Sequence, residues 1–359
     1  MKVTFISFSF GEYSIRLVNG LSNYVDVQHF YQIDRTGDFS SLKAENINFV
    51  MLPKIRLREP IKQFFLISNI HKLIKEFSPD IIHIQNCHFW FNLSLPFLKN
   101  QKLIFTIHDP IQHQGDIETK ILLPTLINDL CFKFGTQFIV HGKKLKEQLI
   151  LDKKISPERI HVIPHIKLGD DVTENNYPEK KNSILFFGRI WRYKGLEYLI
   201  RAEPLISKII PDLNIVIAGK GEDFSYYRKL ITNPSKFQIY NEYISDSFRK
   251  QLFQETSLVI LPYIDASQSG IIPLAYNYGK PVIATSVGAL DEIVFDGETG
   301  FLIPPKNIEM LANSIITLLT DDELRKKMGK NAREFISNEC SSSKIAEKTY
   351  AVYQNVLKN

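Results

Sequence analysis

Two cations stand five residues apart in Phe187-Gly188-Arg189-Ile190-Trp191-Arg192-Tyr193-Lys194-Gly195, directly after an apolar run. Gly188 allows a tight turn and a close approach of backbone to ligand. Arginine offers a planar fork of donors and lysine a point charge, so Arg189 and Lys194 together suit a diphosphate. Spacing alone leaves the plainer alternative open, two solvated loop cations. A second candidate follows Leu261-Pro262-Tyr263. Here Asp265 and the small polar loop Ser267-Gln268-Ser269-Gly270 precede the apolar, helix-like Ile271–Tyr278. A helix N-terminus presents free N–H groups and the positive end of its dipole, which suits a phosphate. The same residues also read as an ordinary capped helix, with Ser267 or Ser269 as the cap. A third candidate is His108, in Thr106-Ile107-His108-Asp109 at the end of a strand-like run. A ligand-facing role there competes with that of a hydrogen-bonded structural histidine. His83, His141 and His165 end other runs and carry the same ambiguity, but together they point to a polar cleft.

Other chemistries have no foothold. The sequence has no Asp-x-Asp, HExxH, P-loop lysine motif, GxGxxG or GxSxG; Gly219-Lys220-Gly221 is only a fragment of a dinucleotide fingerprint. This argues against single-domain metal-dependent sugar transferases, P-loop hydrolases and common dehydrogenases. No metal site is expected.

The elements that must hold these residues follow from periodicity. Lys2–Ser7, Ile81–Ile84, Leu103–Ile107, Phe138–Val140 and Ile160–Ile163 are short apolar runs separated by longer segments such as the helix-like Ile61–Phe77. The pattern pauses at Gly169–Lys181, which is polar. It restarts at Ile184–Phe187, Leu213–Ala218, Phe237–Tyr240, Leu258–Leu261, Pro281–Thr285 and Gly300–Ile303. Strands alternating with helices predict parallel sheets covered on both faces. The fold class is therefore α/β, with two Rossmann-like doubly wound domains in tandem. We expect a first domain over 1–166, a linker over 167–182, a second domain over 183–338 and a C-terminal helix over 339–359. In that terminal helix Ile345, Thr349, Val352, Tyr353 and Val356 share one face. Ligands of such sheets bind beyond the carboxyl ends of the strands, and two domains facing each other would make an inter-domain cleft.

Composition sets the remaining bounds. A chain of 359 residues exceeds what one core usually organises, and 44% hydrophobic with 23% charged residues is the balance of a globular protein. Cys87, Cys131 and Cys340 are too far apart for a zinc motif and read as inert thiols. Met1–Phe10 reads as a strand and not as a secretory signal, and no run spans a bilayer. A cytoplasmic protein is expected, with possible peripheral attachment at the inner face of the membrane. The net charge of +5 is too mild to predict nucleic-acid binding. One stretch is locally basic: Lys54, Arg56, Arg58, Lys62, Lys72 and Lys75 are interleaved with Phe64, Phe65, Leu66, Ile67 and Ile70. Such a helix either rests on an anionic leaflet or packs its apolar face inward with solvated lysines.

Seven segments in order resemble glycosyltransferase family 4 over nearly the whole chain. They are PDIIHIQN (79–86), FTIHDP (105–110), RIHVIPH (159–165), FFGRIWRYKG (186–195), IVIAGKGE (215–222), GKPVIATSVGALDEIV (279–294) and DGETGFLIPP (296–305). The resemblance implies a GT-B fold, with the C-terminal helix crossing back to the first domain. It implies a retaining transfer of a hexose from a UDP- or GDP-linked donor, a substrate, to a glycan or lipid-linked acceptor in surface polysaccharide synthesis, with no cofactor. It assigns Arg189 and Lys194 to the donor diphosphate, His108 to the transferred sugar, Gly11 to the first strand–helix loop near the donor, and Tyr243-Ile244 to the base. Gly188, Asp265 and the 267–270 loop complete the donor site. The chain departs from the family where an acid normally binds ribose: Gly279-Lys280-Pro281-Val282 places Leu274 there, and Ala266 at the earlier acidic position. Asp265 and the 267–270 loop are expected to take over part of that contact. Two alternatives are a GT-B sugar-nucleotide epimerase and a non-catalytic nucleotide-sugar-binding or scaffold protein.

Overall fold

The computed structural model of the chain describes residues 1–33, 38–86, 88–109, 122–170 and 176–358. Cys87 and positions 171–175 of the expected linker lie outside these. The chain forms two compact units; the first holds the described residues up to 166 together with 340–358, and the second holds those from 167 to 339.

The first unit has strands β1 (Lys2–Ser7), β2 (Asp26–Gln32), β3 (Asn48–Leu52), β4 (Ile81–Gln85), β5 (Lys102–Thr106), β6 (Gln137–Val140) and β7 (Ile160–Val162). They form one sheet in the order β3-β2-β1-β4-β5-β6-β7. Every pair is parallel; Val3, for example, lies between Val27 and Ile81. The helices are α1 (Gly11–Leu21), α2 (Pro60–Phe77), α3 (Phe89–Ser94), α4 (Leu122–Phe134) and α5 (Lys143–Lys153). Strand order reverses between β1 and β4, so the loops after these strands border the position where doubly wound sheets bind ligands.

The second unit has β8 (Ser183–Phe187), β9 (Asn214–Ala218), β10 (Phe237–Tyr240), β11 (Leu258–Leu261), β12 (Val282–Thr285) and β13 (Gly300–Ile303), in the order β10-β9-β8-β11-β12-β13. Its helices are α6 (Leu196–Ser207), α7 (Ser225–Arg228), α8 (Asp246–Glu255), α9 (Ile271–Asn277), α10 (Ile308–Thr320) and α11 (Asp322–Glu339). Its order reverses between β8 and β11. Ile184, Phe186, Ile215 and Ile260 from the strands meet Leu199 of α6 and Ile315 of α10 in one core. The described residues before β8 are fastened to this unit. Glu179 pairs with Lys280 at 2.6 Å and Arg325 at 2.8 Å, and Asn277 donates to the Asp170 carbonyl at 2.8 Å.

The C-terminal helix α12 (Ser342–Lys358) belongs to the first unit and packs on α1. Gly20 permits this: a Cβ there would sit 2.5 Å from the Ser342 carbonyl oxygen and 2.7 Å from Ala346 Cβ. Ile345, Thr349, Val352, Tyr353 and Val356 are its buried face, as their spacing predicts. The Tyr353 hydroxyl lies 2.6 Å from His83 Nδ1, and His83 Nε2 lies 2.7 Å from Thr106 Oγ1. His83 is thus a structural histidine that ties the sheet to the terminal helix. Tyr353→Phe leaves a buried imidazole nitrogen without its partner, which costs about 1–3 kcal/mol. Thermal denaturation of that variant is expected to show a melting temperature several degrees lower, with secondary structure retained.

Candidate functional site

The second unit gathers most of the candidate donor residues on the two loops that flank its strand-order reversal. After β8, Gly188 takes a left-handed φ of 114° and Arg189 is exposed. Ile190 then bridges to Gly221, and Glu222 donates to the Ile190 carbonyl at 2.9 Å. The loop closes in a short 3₁₀ turn, Arg192–Lys194, ending at Gly195 with φ 66°. Gly195 cannot be larger, since a Cβ there would lie 1.9 Å from the Pro262 carbonyl oxygen. That close approach locks the loop after β8 against the loop after β11. Ile264 N–H donates to the Tyr193 carbonyl at 2.7 Å as a second tie.

Lys194 is held by aromatic rings. Its Nζ stands 3.7 Å from the centroid of Tyr263 and 5.0 Å from that of Tyr193, and the Arg189 guanidinium lies 5.9 Å from Tyr193. Cation–π attraction to these two rings helps orient the ammonium. Tyr193 and Tyr263 are both buried, and burial raises the Tyr263 hydroxyl above its ordinary range. The sequence reading missed both tyrosines. Tyr263 follows the apolar run Leu258–Leu261 after one proline, the position at which a residue leaves the sheet toward the ligand edge.

The 265–270 segment lies beside these residues. Asp265 is exposed, whereas Ser267 and Ser269 are buried. Ser269 Oγ accepts the Ile271 N–H at 3.3 Å and lies 3.3 Å from the Tyr263 hydroxyl. The N-cap of α9 is Gly270, not Ser267 or Ser269 as the plainer reading proposed; Ser269 bonds the next N–H and borders the Lys194 aromatic pair. The Gln268 amide oxygen is buried and has no hydrogen-bond partner among the described residues. Gly288 folds over the segment from β12, where a Cβ would lie 1.8 Å from the Ala266 carbonyl oxygen. Tyr243 and Ile244 follow β10, three strands along from β11; Tyr243 is exposed and Lys220 Nζ lies 5.1 Å from its ring. Leu274 is buried in α9 and faces Gly169, whose Cβ would meet Leu274 Cδ1 at 2.9 Å. It belongs to the core, and α9 offers no carboxylate at that position.

In the first unit the carboxyl edge of the sheet gathers imidazoles. His108, His141 and His165 follow β5, β6 and β7 and are all buried. Their ring centroids are 4.6 Å (His108–His141), 5.1 Å (His141–His165) and 5.9 Å (His108–His165) apart. Phe10 stacks on His108 at 3.8 Å, and Tyr13 meets all three edge-on or tilted. Gly11 opens α1 beside them after Phe10, which adopts a left-handed φ of 59°. Burial, reinforced by their mutual proximity, lowers His108 well below the usual imidazole range and His141 to about 3; burial lowers His165 to about 4. The cluster is therefore neutral at physiological pH, and neutral imidazoles both donate and accept hydrogen bonds. His108 Nε2 is hydrogen-bonded to the Gln85 amide, while His108 Nδ1 has no partner among the described residues. Such an edge suits uncharged hydroxyl groups better than phosphates. The sequence reading of a polar cleft rested on several strand-end histidines; that His108, His141 and His165 touch, while His83 turns to the terminal helix, depends on the parallel order β5-β6-β7. Among the described residues, no three His, Cys, Asp or Glu side chains are disposed to hold a metal ion.

Comparison with known proteins bears on the two halves separately. Residues 170–335 match the family described as Glycosyl transferases group 1, and residues 13–166 match Glycosyltransferase Family 4. An uncharacterized glycosyltransferase of Methanocaldococcus jannaschii is 26% identical, over 99% of this chain and 98% of its own length. The Escherichia coli UDP-Gal:alpha-D-GlcNAc-diphosphoundecaprenol alpha-1,3-galactosyltransferase is 24% identical, over 83% of this chain and 81% of its own. Among solved structures, sucrose-phosphate synthase from Thermosynechococcus elongatus superposes with a TM-score of 0.76 at 17% identity, covering 100% of this chain and 99% of that one, a likeness of fold.

Proposed function

Starting from the premise that this chain belongs to the glycosyltransferases, with a family 4 first half and a group 1 second half, we propose that it transfers a hexose from a nucleoside-diphosphate sugar to an acceptor hydroxyl with retention of anomeric configuration. The observation that carries this reading is the pair Arg189 and Lys194 on the loop after β8, which Gly195 locks against the loop after β11 where the strand order of the second unit reverses.

The residues divide the work by charge. Arg189 and Lys194 grip the diphosphate, with Gly188 allowing close approach and the backbone of Ser267, Gln268, Ser269 and Gly270 adding N–H donors. Tyr243 and Ile244 contact the base. Asp265 accepts from the ribose hydroxyls in place of the missing acid at Leu274. We assign Gly11 to the donor and His108, neutral and stacked on Phe10, to the transferred sugar. The acceptor oxygen bonds to the anomeric carbon on the face from which the diphosphate departs. The carbon–oxygen bond to the phosphate breaks, and the acceptor proton passes to the departing phosphate oxygen. Negative charge grows on that diphosphate, and two preorganised cations stabilise it most when it is largest. They supply the charge that a divalent metal supplies in other sugar transferases.

UDP is the favoured nucleotide, because the E. coli relative is named for a UDP-linked donor. The acceptor is proposed to be a growing surface glycan on a lipid carrier, handled on the cytoplasmic side of the membrane; that relative's name likewise specifies a diphosphoundecaprenol-linked acceptor. Calorimetric titration with UDP and GDP tests the donor site. Saturable binding of one, weakened by Asp265→Asn, is expected; the absence of any nucleotide binding counts against the proposal.

A further inference from the structure

The basic stretch has two differently dressed sides on one helix. α2 turns Gln63, Leu66, Ile67, Ile70 and Ile74 inward. The other side of its first two turns carries Ile61, Phe64 and Phe65, which are 72%, 67% and 65% exposed. Leu57, in the preceding loop, is 59% exposed. Four exposed cations surround these side chains: Lys54, Arg56, Arg58 and Lys62. The one acid among them, Glu59, is engaged by Lys62 at 2.5 Å and by the Arg56 N–H at 3.1 Å.

The loop that presents Leu57 and Arg58 is held in place. Gln63 Nε2, on the buried side of α2, donates to the Ile55 carbonyl at 3.0 Å, and Trp90 Nε1 of α3 donates to the Leu57 carbonyl at 2.9 Å. The loop's backbone is thus tied to two helices while its apolar and cationic side chains point into solvent. The two adjacent phenylalanines Phe64 and Phe65 add little to the core of this unit, since both stand mostly in solvent.

We infer that this face, Leu57, Ile61, Phe64 and Phe65 with the cations 54–62, docks the protein on the surface of an anionic lipid bilayer. An interfacial helix of this kind combines shallow burial of aromatic and aliphatic side chains with attraction of lysine and arginine to acidic headgroups. Neither signal alone holds a protein on a membrane, but the two together do. The excess positive charge selects this occupant. A second copy docked on the same face would set the cations of both copies against each other. No helix among the described residues is long and apolar enough to cross a membrane, so the attachment is peripheral. The inference deepens the lipid-linked acceptor reading but rests on no donor chemistry, and vesicle binding without substrate tests it separately.

The test is co-flotation of the full chain with vesicles of phosphatidylcholine mixed with phosphatidylglycerol, and with phosphatidylcholine alone. Binding to the anionic vesicles is expected, with loss at high salt. Phe64→Ser with Phe65→Ser, and separately Arg58→Glu with Lys62→Glu, should each weaken it about 30-fold or more. Ile209→Gln, an exposed apolar position of the second unit, should leave it unchanged. Circular dichroism and melting temperature establish that each variant is folded. The proposal is overturned if the wild-type chain floats with neither vesicle, binds both equally, or binds as well when folded variants are used. It is also overturned if the phenylalanine variant instead abolishes a dimer of the wild-type protein.

Discussion

Arg189→Ala and Lys194→Ala should each lower turnover by roughly 10²–10³-fold, the loss seen when one preorganised donor to a developing negative charge is removed. Both variants should fold. Arg189 is exposed and Lys194 is half-buried over the Tyr193 and Tyr263 rings, so truncation of either takes nothing from the hydrophobic core. Arg189→Lys should recover part of the activity, because a point charge restores Coulomb attraction but not the two-pronged geometry of a guanidinium. Initial rates with saturating donor, alongside thermal melts, check this. Near-wild-type turnover in both alanine variants would remove the diphosphate clamp from the account.

The second large effect is on stability. The first unit should unfold on acidification well before the second. Eight histidines are described residues of the first unit, and the described residues of the second unit include none. Burial lowers His29, His83 and His141 to about 3 and His88 and His165 to about 4. In the unfolded chain these side chains titrate near the ordinary imidazole value of about 6.5. Below that pH the unfolded state therefore binds protons that the folded state excludes, and folding free energy falls as pH falls. The stability they contribute is complete above about pH 6.5 and is lost progressively toward the folded values near 3–4. Each buried histidine contributes a slope of about 1.4 kcal/mol per pH unit in that window. Several acting together exceed the margin of a typical domain within one to two pH units. The two tryptophans make the measurement direct, because Trp90 reports on the first unit and Trp191 on the second. Acid titration of Trp191→Phe and Trp90→Phe variants should give an earlier fluorescence transition for Trp90. Coincident transitions near pH 4 or below would contradict this.

Much of the architecture is legible in the sequence because most strands are buried on both faces and read as continuous apolar runs. The exceptions are instructive. β2, DVQHFYQ, does not look like a core strand, yet Gln28 and His29 are buried. Their polar atoms are met across the sheet by Thr4 Oγ1 at 3.1 Å and Ser7 Oγ at 2.9 Å, partners that only the parallel pairing with β1 supplies. β3 is an edge strand with half-exposed side chains and gives no strong pattern. At the candidate site, motif order pointed to Arg189, Lys194 and the 267–270 loop. It did not show that Gly195 and Pro262 lock their loops together, nor that Tyr263 lies under the lysine. Those contacts join residues about 70 positions apart, and no local pattern encodes them. The strand-end histidines did suggest a polar edge, but which three meet was not legible, because His108, His141 and His165 become one neutral edge only when β5, β6 and β7 lie side by side.

The most direct measurement follows both products of one reaction. The full chain, supplied with UDP-linked and GDP-linked hexoses and a lipid-linked glycan acceptor, should release nucleoside diphosphate and glycosylated acceptor in equal amounts. Proton NMR of the new linkage should show the anomeric configuration of the donor. Conversion of the donor sugar to its epimer without transfer would contradict the account, and so would an intact donor that binds but never moves to any acceptor.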